Sequence, residues 1–73
     1  MNTTILSTLD SAKTLVKSMR RQTLVLDGEE QEFADQCVEA AFDMCSENQL
    51  EMTTKEVEYF ETEIRSYVAE LLK

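Results

Sequence analysis

The stretch TTKEVEYFETEIRSYVAELL, residues 53–72, decides the fold class of this chain. Val57, Phe60, Ile64, Tyr67 and Leu71 step by 3, 4, 3 and 4 residues. That spacing puts them on one stripe of a helix, not on alternate faces of a strand. Val68 and Leu72 flank the stripe. The start is equally legible. Thr53 can accept from the backbone N–H of Glu56, the Glu56 carboxylate can answer the cap's own N–H, and Met52 and Val57 have the spacing of a hydrophobic staple. The heptad rhythm belongs to a helix packed on another helix. About two and a half heptads are too short for an isolated coiled coil, so the segment is expected to pack within a compact bundle.

Working outward from this segment, Ser46 to Met52 reads as a polar break. Before it, Asp27-Gly28-Glu29-Glu30 reads as a helix start, with Asp27 as the cap and Glu30 answering from three residues on. Acids crowded there also suit the positive end of a helix dipole. Phe33, Cys37, Ala40, Ala41 and Met44 supply the apolar stripe of this second segment, and Ala34, Val38, Phe42 and Cys45 widen it. An arc that broad predicts contact on two sides. Nearer the N-terminus, Ile5, Leu9, Ala12, Val16 and Met19, with Leu15 beside them, step by 4, 3, 4 and 3. Thr3 or Thr4 can cap that helix. Residues 23–26 either continue it or run extended, since Thr23 and Val25 are β-branched. The expected fold is therefore all-α: one helical domain over residues 1–73, a small three-helix bundle with helices at about 4–23, 28–47 and 54–72, open to completion by homodimerisation.

Composition agrees. Zero prolines and one glycine argue against a turn-rich β fold. A hydrophobic fraction of 42% is enough for a core. A domain near this size buries only about 60% of its unfolded surface, which makes the extra burial of a dimer a reasonable expectation. The longest apolar runs, such as Leu24-Val25-Leu26, are three residues, where a membrane-spanning helix needs about 20. The N-terminus has no basic patch ahead of a long apolar stretch, so no secretory signal is read there. Cys37 and Cys45 are eight residues apart, which on one helix is about 12 Å of rise. A disulfide requires Cα atoms within about 7 Å. Both are read as small buried hydrophobes with free thiols, which fits a cytoplasmic location.

The chemistry of catalysis is missing its usual parts. The chain has no histidine, which removes the commonest general base and the imidazole triads. Two cysteines without another soft ligand cannot complete a four-ligand zinc site in one chain. Leu26-Asp27-Gly28-Glu29-Glu30 looks in part like a calcium loop, but with Gly28 at the sixth loop position the first, third and twelfth become Thr23, Val25 and Ala34. None of the three offers a carboxylate, and the motif fails. Leu9-Asp10-Ser11 resembles in part the Asp-Ser-Leu attachment motif of acyl carrier proteins. Here Ala12 follows the serine, inside the first helical pattern, and the reading is rejected. A lone glycine excludes glycine-rich phosphate loops. No enzyme, no cofactor and no metal site is expected.

Charge is the remaining signal. Up to Arg21 the chain has four basic residues against Asp10. From there to Lys55 lies a 33-residue interval with no basic residue and nine acids, and the net charge is −8. Glu32, Asp35, Glu39, Asp43 and Glu47 fall opposite the apolar stripe of the second segment. Solvated helices normally intersperse both signs in i, i+4 pairs. This row is expected to bind a partner protein with a basic surface, such as a nucleic-acid-binding protein, by standing in for phosphates; its field would speed association and make it salt-sensitive. The function expected is that of a small acidic regulator or inhibitor. Phage-encoded host-takeover and anti-defence factors include small acidic proteins of this general kind, although no motif fixes that origin. Two alternatives stand beside it. Lys13, Lys17, Arg20 and Arg21 share one flank of the first helix, and could either pair with acids of a neighbouring helix or make a dimeric chain a nucleic-acid binder. A structural or assembly subunit is the other. Tyr59, opposite the third stripe, is the candidate hot spot for partner contact. Leu6, Leu24 and Leu26 are further exposed apolar candidates.

Overall fold

The computed structural model describes residues 3–73 and folds them into three helices, α1 (Thr3–Gln22), α2 (Glu30–Glu47) and α3 (Thr54–Leu71), with no strand among the described residues. The start of α3 forms as the sequence predicts. Thr53 is extended (φ −69°, ψ 165°), its Oγ1 accepts from the Glu56 N–H at 3.2 Å, and Glu56 Oε1 accepts from the Thr53 N–H at 2.9 Å. Two backbone donors that the helix itself leaves without partners are thereby satisfied.

The start of α2 differs from the expectation. Asp27 is not its cap. Glu29 occupies that position, with no side-chain cap bond, and the helix begins at Glu30. Gly28 takes φ +91° while the Glu29 N–H donates to the Leu26 carbonyl at 3.0 Å. Residues 26–29 thus make a tight turn whose third residue needs the left-handed freedom of glycine. That turn forces the helix to start two residues after 28. Glu29 and Glu30 turn back to accept from the N–H groups of Leu26 (3.2 Å) and Gly28 (2.6 Å). The acids thus brace the turn and leave Asp27 outside the cap. Residues 23–26 are not helical. For α1, Thr3 and Thr4 already lie in the helix as described, and how that helix begins falls outside the described residues.

Between α2 and α3 the chain uses a device the sequence does not advertise. Gln49 sits at φ 55°, its N–H donates to the Ser46 carbonyl, and the Leu50 N–H donates to the Cys45 carbonyl, both at 3.0 Å. This is the Schellman closure of a helix, made here by glutamine where glycine is usual.

The three helices run up, down and up. Asn48 Nδ2 donates to Thr8 Oγ1 at 3.5 Å, tying the end of α2 to the start of α1. Thr8 is the one buried polar residue among those described. The core comprises Ile5, Leu9, Ala12 and Val16 from α1, Phe33, Cys37, Val38, Ala41 and Cys45 from α2, and Phe60, Ile64 and Val68 from α3. Each helix therefore contributes the stripe that periodicity marked, with local shifts. On α3 the fully buried line is Phe60, Ile64 and Val68, while Val57, Tyr67 and Leu71 are half-buried. A helix wedged between two neighbours centres its arc on the line facing both, and residues at its ends lose cover. Phe42 leans on Phe60 with ring centroids 5.3 Å apart and an interplanar angle of 41°, a tilted aromatic pair joining α2 to α3.

Candidate protein-binding surface

Burial on one side of α2 determines what the other side shows. With Cys37, Ala41 and Cys45 turned inward, the residues about half a turn away must face solvent. Glu32, Asp35, Glu39, Asp43 and Glu47 are all exposed. Glu32, Gln36, Glu39 and Asp43 recur at i, i+4, i+7 and i+11, which keeps them on one strip, and Glu47 continues it one turn further. From Glu32 to Glu47 the row extends about 22 Å along the helix axis.

One of the five acids belongs partly to the fold. Arg65 of α3 reaches across to Asp35, Nη2 to Oδ1 at 2.9 Å, while its Nε holds Glu61 Oε2 at 2.9 Å. The hydrogen bonds that Arg65 donates to Glu61, and then to Asp35, push the guanidinium pKa still higher. Gln31 Nε2 also donates to Asp35 at 3.5 Å. Asp35 thus closes a clamp between α2 and α3. Glu32, Glu39, Asp43 and Glu47 form no salt bridge and no side-chain hydrogen bond among the described residues.

The other candidate residues lie elsewhere. Tyr59 is 38% exposed on α3, on the side facing α1, and its hydroxyl donates to Glu63 Oε1 at 3.4 Å. It does not join the acid row. On the basic flank of α1, Lys13 Nζ lies 3.8 Å from Glu63 Oε1 and 5.8 Å from the centre of the Tyr67 ring. Lys17 and Arg21 are exposed, while Arg20 is half-buried, its Nε covered and without a partner. The flank is therefore not one open cationic strip, because Lys13 is drawn into the α1–α3 seam. No family model, curated protein or solved structure matches the chain.

Other places for chemistry are few. Burial pushes the Cys37 thiol from 9.0 up to about 11 and moves Cys45 the same way. Neither is poised as a thiolate nucleophile. Among the described residues no group of three metal-ligating side chains converges, and no helix is long and apolar enough to cross a membrane. Two shallow concavities flank the start of α2. One of about 120 Å³ is lined by Thr23, Leu24, Glu29, Glu32 and Gln36 among others. It meets the end of the acid row, so Gln36 and Leu24 adjoin the candidate surface. Gln36 escapes a reading by charge alone, although its i+4 spacing from Glu32 places it on the strip. The second concavity, about 280 Å³, lies between α2 and α3 and is lined by Ala34, Val68, Ala69 and Leu72 with Glu30 and Arg65.

Proposed function

We propose that this protein is a small non-enzymatic regulator or inhibitor that binds the basic surface of a partner protein through the outward face of α2. The observation that supports this reading is the state of four carboxylates. Glu32, Glu39, Asp43 and Glu47 share one exposed strip and meet no cation among the described residues. An uncompensated row of one sign steers association and confers electrostatic specificity more than it stabilises a fold. From Glu39 to Glu47 the carboxylates recur about every 6 Å. One strand of a duplex carries a charge about every 3.4 Å. The row would therefore stand in for roughly every second phosphate of a single strand, and a cleft built for nucleic acid is the class of partner surface it fits. We place the protein in the cytoplasm, where two free thiols remain reduced.

The alternative, direct nucleic-acid binding by the flank of α1, would rely on Lys17, Arg20 and Arg21, since Lys13 is engaged by Glu63. Three cations on a chain of net charge −8 make a weak phosphate-binding surface, so the acid face is preferred over it and over an assembly-subunit role. The test is capture of partners from the native cell at low and high salt, with Glu39→Lys/Asp43→Lys beside the wild type. The double variant should lose at least about tenfold in affinity with its helical circular dichroism intact. Equal affinity for both proteins would sink the acid-face reading.

A further inference from the structure

We infer that the end of the bundle where α1 stops, α2 starts and α3 stops docks a second copy of this chain across a two-fold axis. Among the described residues, the two most exposed large apolar side chains are both in the α1–α2 loop, Leu24 at 79% and Leu26 at 54%. Leu26 is not on a loose tether. The Leu26 N–H is held by Glu29 Oε1, its carbonyl accepts from the Glu29 N–H, and Gly28 is held by Glu30. A short turn with three internal hydrogen bonds presents Leu26 in a fixed direction. At the same end of the bundle, Ala34, Val68, Ala69 and Leu72 line the open groove of about 280 Å³ between α2 and α3. Small side chains at Ala34 and Ala69 leave room there for a leucine from outside.

A two-fold interface must contain its own complement, because the same patch is used on both copies. This end does so twice over. It carries an apolar knob and, at the same end of the bundle, a largely apolar groove, and it carries both signs of charge. Lys17 and Arg21, at the last turns of α1, and Asp27 and Glu32, around the start of α2, are all exposed and have no ion-pair partner among the described residues. Rotation about a two-fold axis can set the cations of one copy against the acids of the other. The rest of α2 offers no such match, since Glu39, Asp43 and Glu47 would face their own kind. The occupant that fits the end is thus another copy, which takes Glu32 from the acid row and leaves Glu39, Asp43 and Glu47 outward on both. This inference does not depend on the function proposed for that row.

Sedimentation equilibrium of the full chain over a wide concentration range tests it. The wild type should show a monomer–dimer equilibrium, and Leu24→Asp/Leu26→Asp should weaken it at least about 100-fold with unchanged helical circular dichroism, as expected for losing several buried leucines across a symmetric contact. Cross-linking tests the pairing. A Leu26→Cys chain mixed with an Ala69→Cys chain should oxidise to the mixed disulfide in excess of either symmetric one. The native thiols, buried and hard to ionise, do not compete. A wild type that stays monomeric overturns the inference, whether or not some other protein takes the surface. A dimer indifferent to the leucine substitutions, or one giving only symmetric cross-links, overturns it as well.

Discussion

Helices α2 and α3 are each 18 residues long, yet they treat their acids in opposite ways. On α3, Glu56 closes the cap, Glu61 shares Arg65 with Asp35, Glu63 meets both Lys13 and Tyr59, and Glu70 meets Lys73. On α2, Asp35 alone of the outward row finds a cation among the described residues. Apart from Glu58, the acids of α3 are paired within the fold, whereas four of those on α2 meet no partner among the described residues. The contrast separates carboxylates that orient helices from carboxylates free to meet something else. It extends to the helix starts: Thr53 caps α3, while α2 begins after a glycine turn with no side-chain cap.

The largest expected effect concerns the inward face of α2. Desolvation of Cys37 raises its thiol pKa from 9.0 to about 11 in the folded state. A group whose folded pKa is raised contributes fully below its unfolded value. Its contribution is lost as pH climbs toward the folded value, because the unfolded chain releases the proton first. Stability should therefore fall by about 2 kcal/mol in total between pH 9 and 11, at no more than about 1.4 kcal/mol per pH unit. Urea unfolding of wild type and Cys37→Ala across this window isolates the contribution of the Cys37 thiol. The variant should show a shallower decline, and parallel curves would mean that the thiol is not shielded. No cysteine on α3 offers an equivalent loss, so the alkaline weakness belongs to α2.

The next effect compares the helix starts. Thr53→Ala removes a bond to the Glu56 N–H and should cost about 1 kcal/mol. Asp27→Ala should stay within about 0.5 kcal/mol, as for a surface residue that caps nothing. Chemical denaturation of the two variants side by side makes the measurement. Equal losses would show that Asp27 does hold the start of α2.

These starts also mark where sequence reading succeeds and where it stops. The stripes through Ile5, Phe33 and Phe60 were legible because burial against neighbours imposes a 3.6-residue period on the chain itself. The box at Thr53 was legible because its two partners are three residues apart with nothing between them to oppose a helix. At residue 27 the same local signal fails. The glycine that the local pattern sets at a helix start instead takes a positive φ, and Glu29 and Glu30 turn their carboxylates back on the loop. The Schellman closure at Gln49 was hidden for a related reason, since glutamine carries no mark of a left-handed residue. On the candidate surface, helical spacing alone placed Glu32, Glu39, Asp43 and Glu47 on one exposed face. That Asp35 would be taken by Arg65, and Lys13 by Glu63, depended on how the helices sit against one another. Pairing across helices leaves no trace in the spacing along either one.

The smallest effect is the one that tests the contrast most directly. Glu39 stands four residues after Asp35 and four before Asp43, so it faces like charge in both directions along α2. Glu39→Lys replaces two i, i+4 repulsions by two attractions, each worth about 0.2–0.5 kcal/mol on a helix surface. The reversed order of Lys before Asp makes the second the weaker. Four such contributions at the low end, as suits an exposed strip, should raise stability by about 0.8 kcal/mol, or a few degrees in Tm for a domain of this size. The corresponding change on α3, Glu61→Lys, sets a cation against Arg65 and should lower Tm. Calorimetry of the two variants therefore gives opposite signs if the acids of α3 serve the fold and those of α2 do not. A fall in Tm for both would mean that the α2 row is structural after all. A rise for Glu39→Lys, accompanied by loss of partner capture in the double variant, would mean that the row is kept at the expense of stability, as expected of a surface maintained for binding.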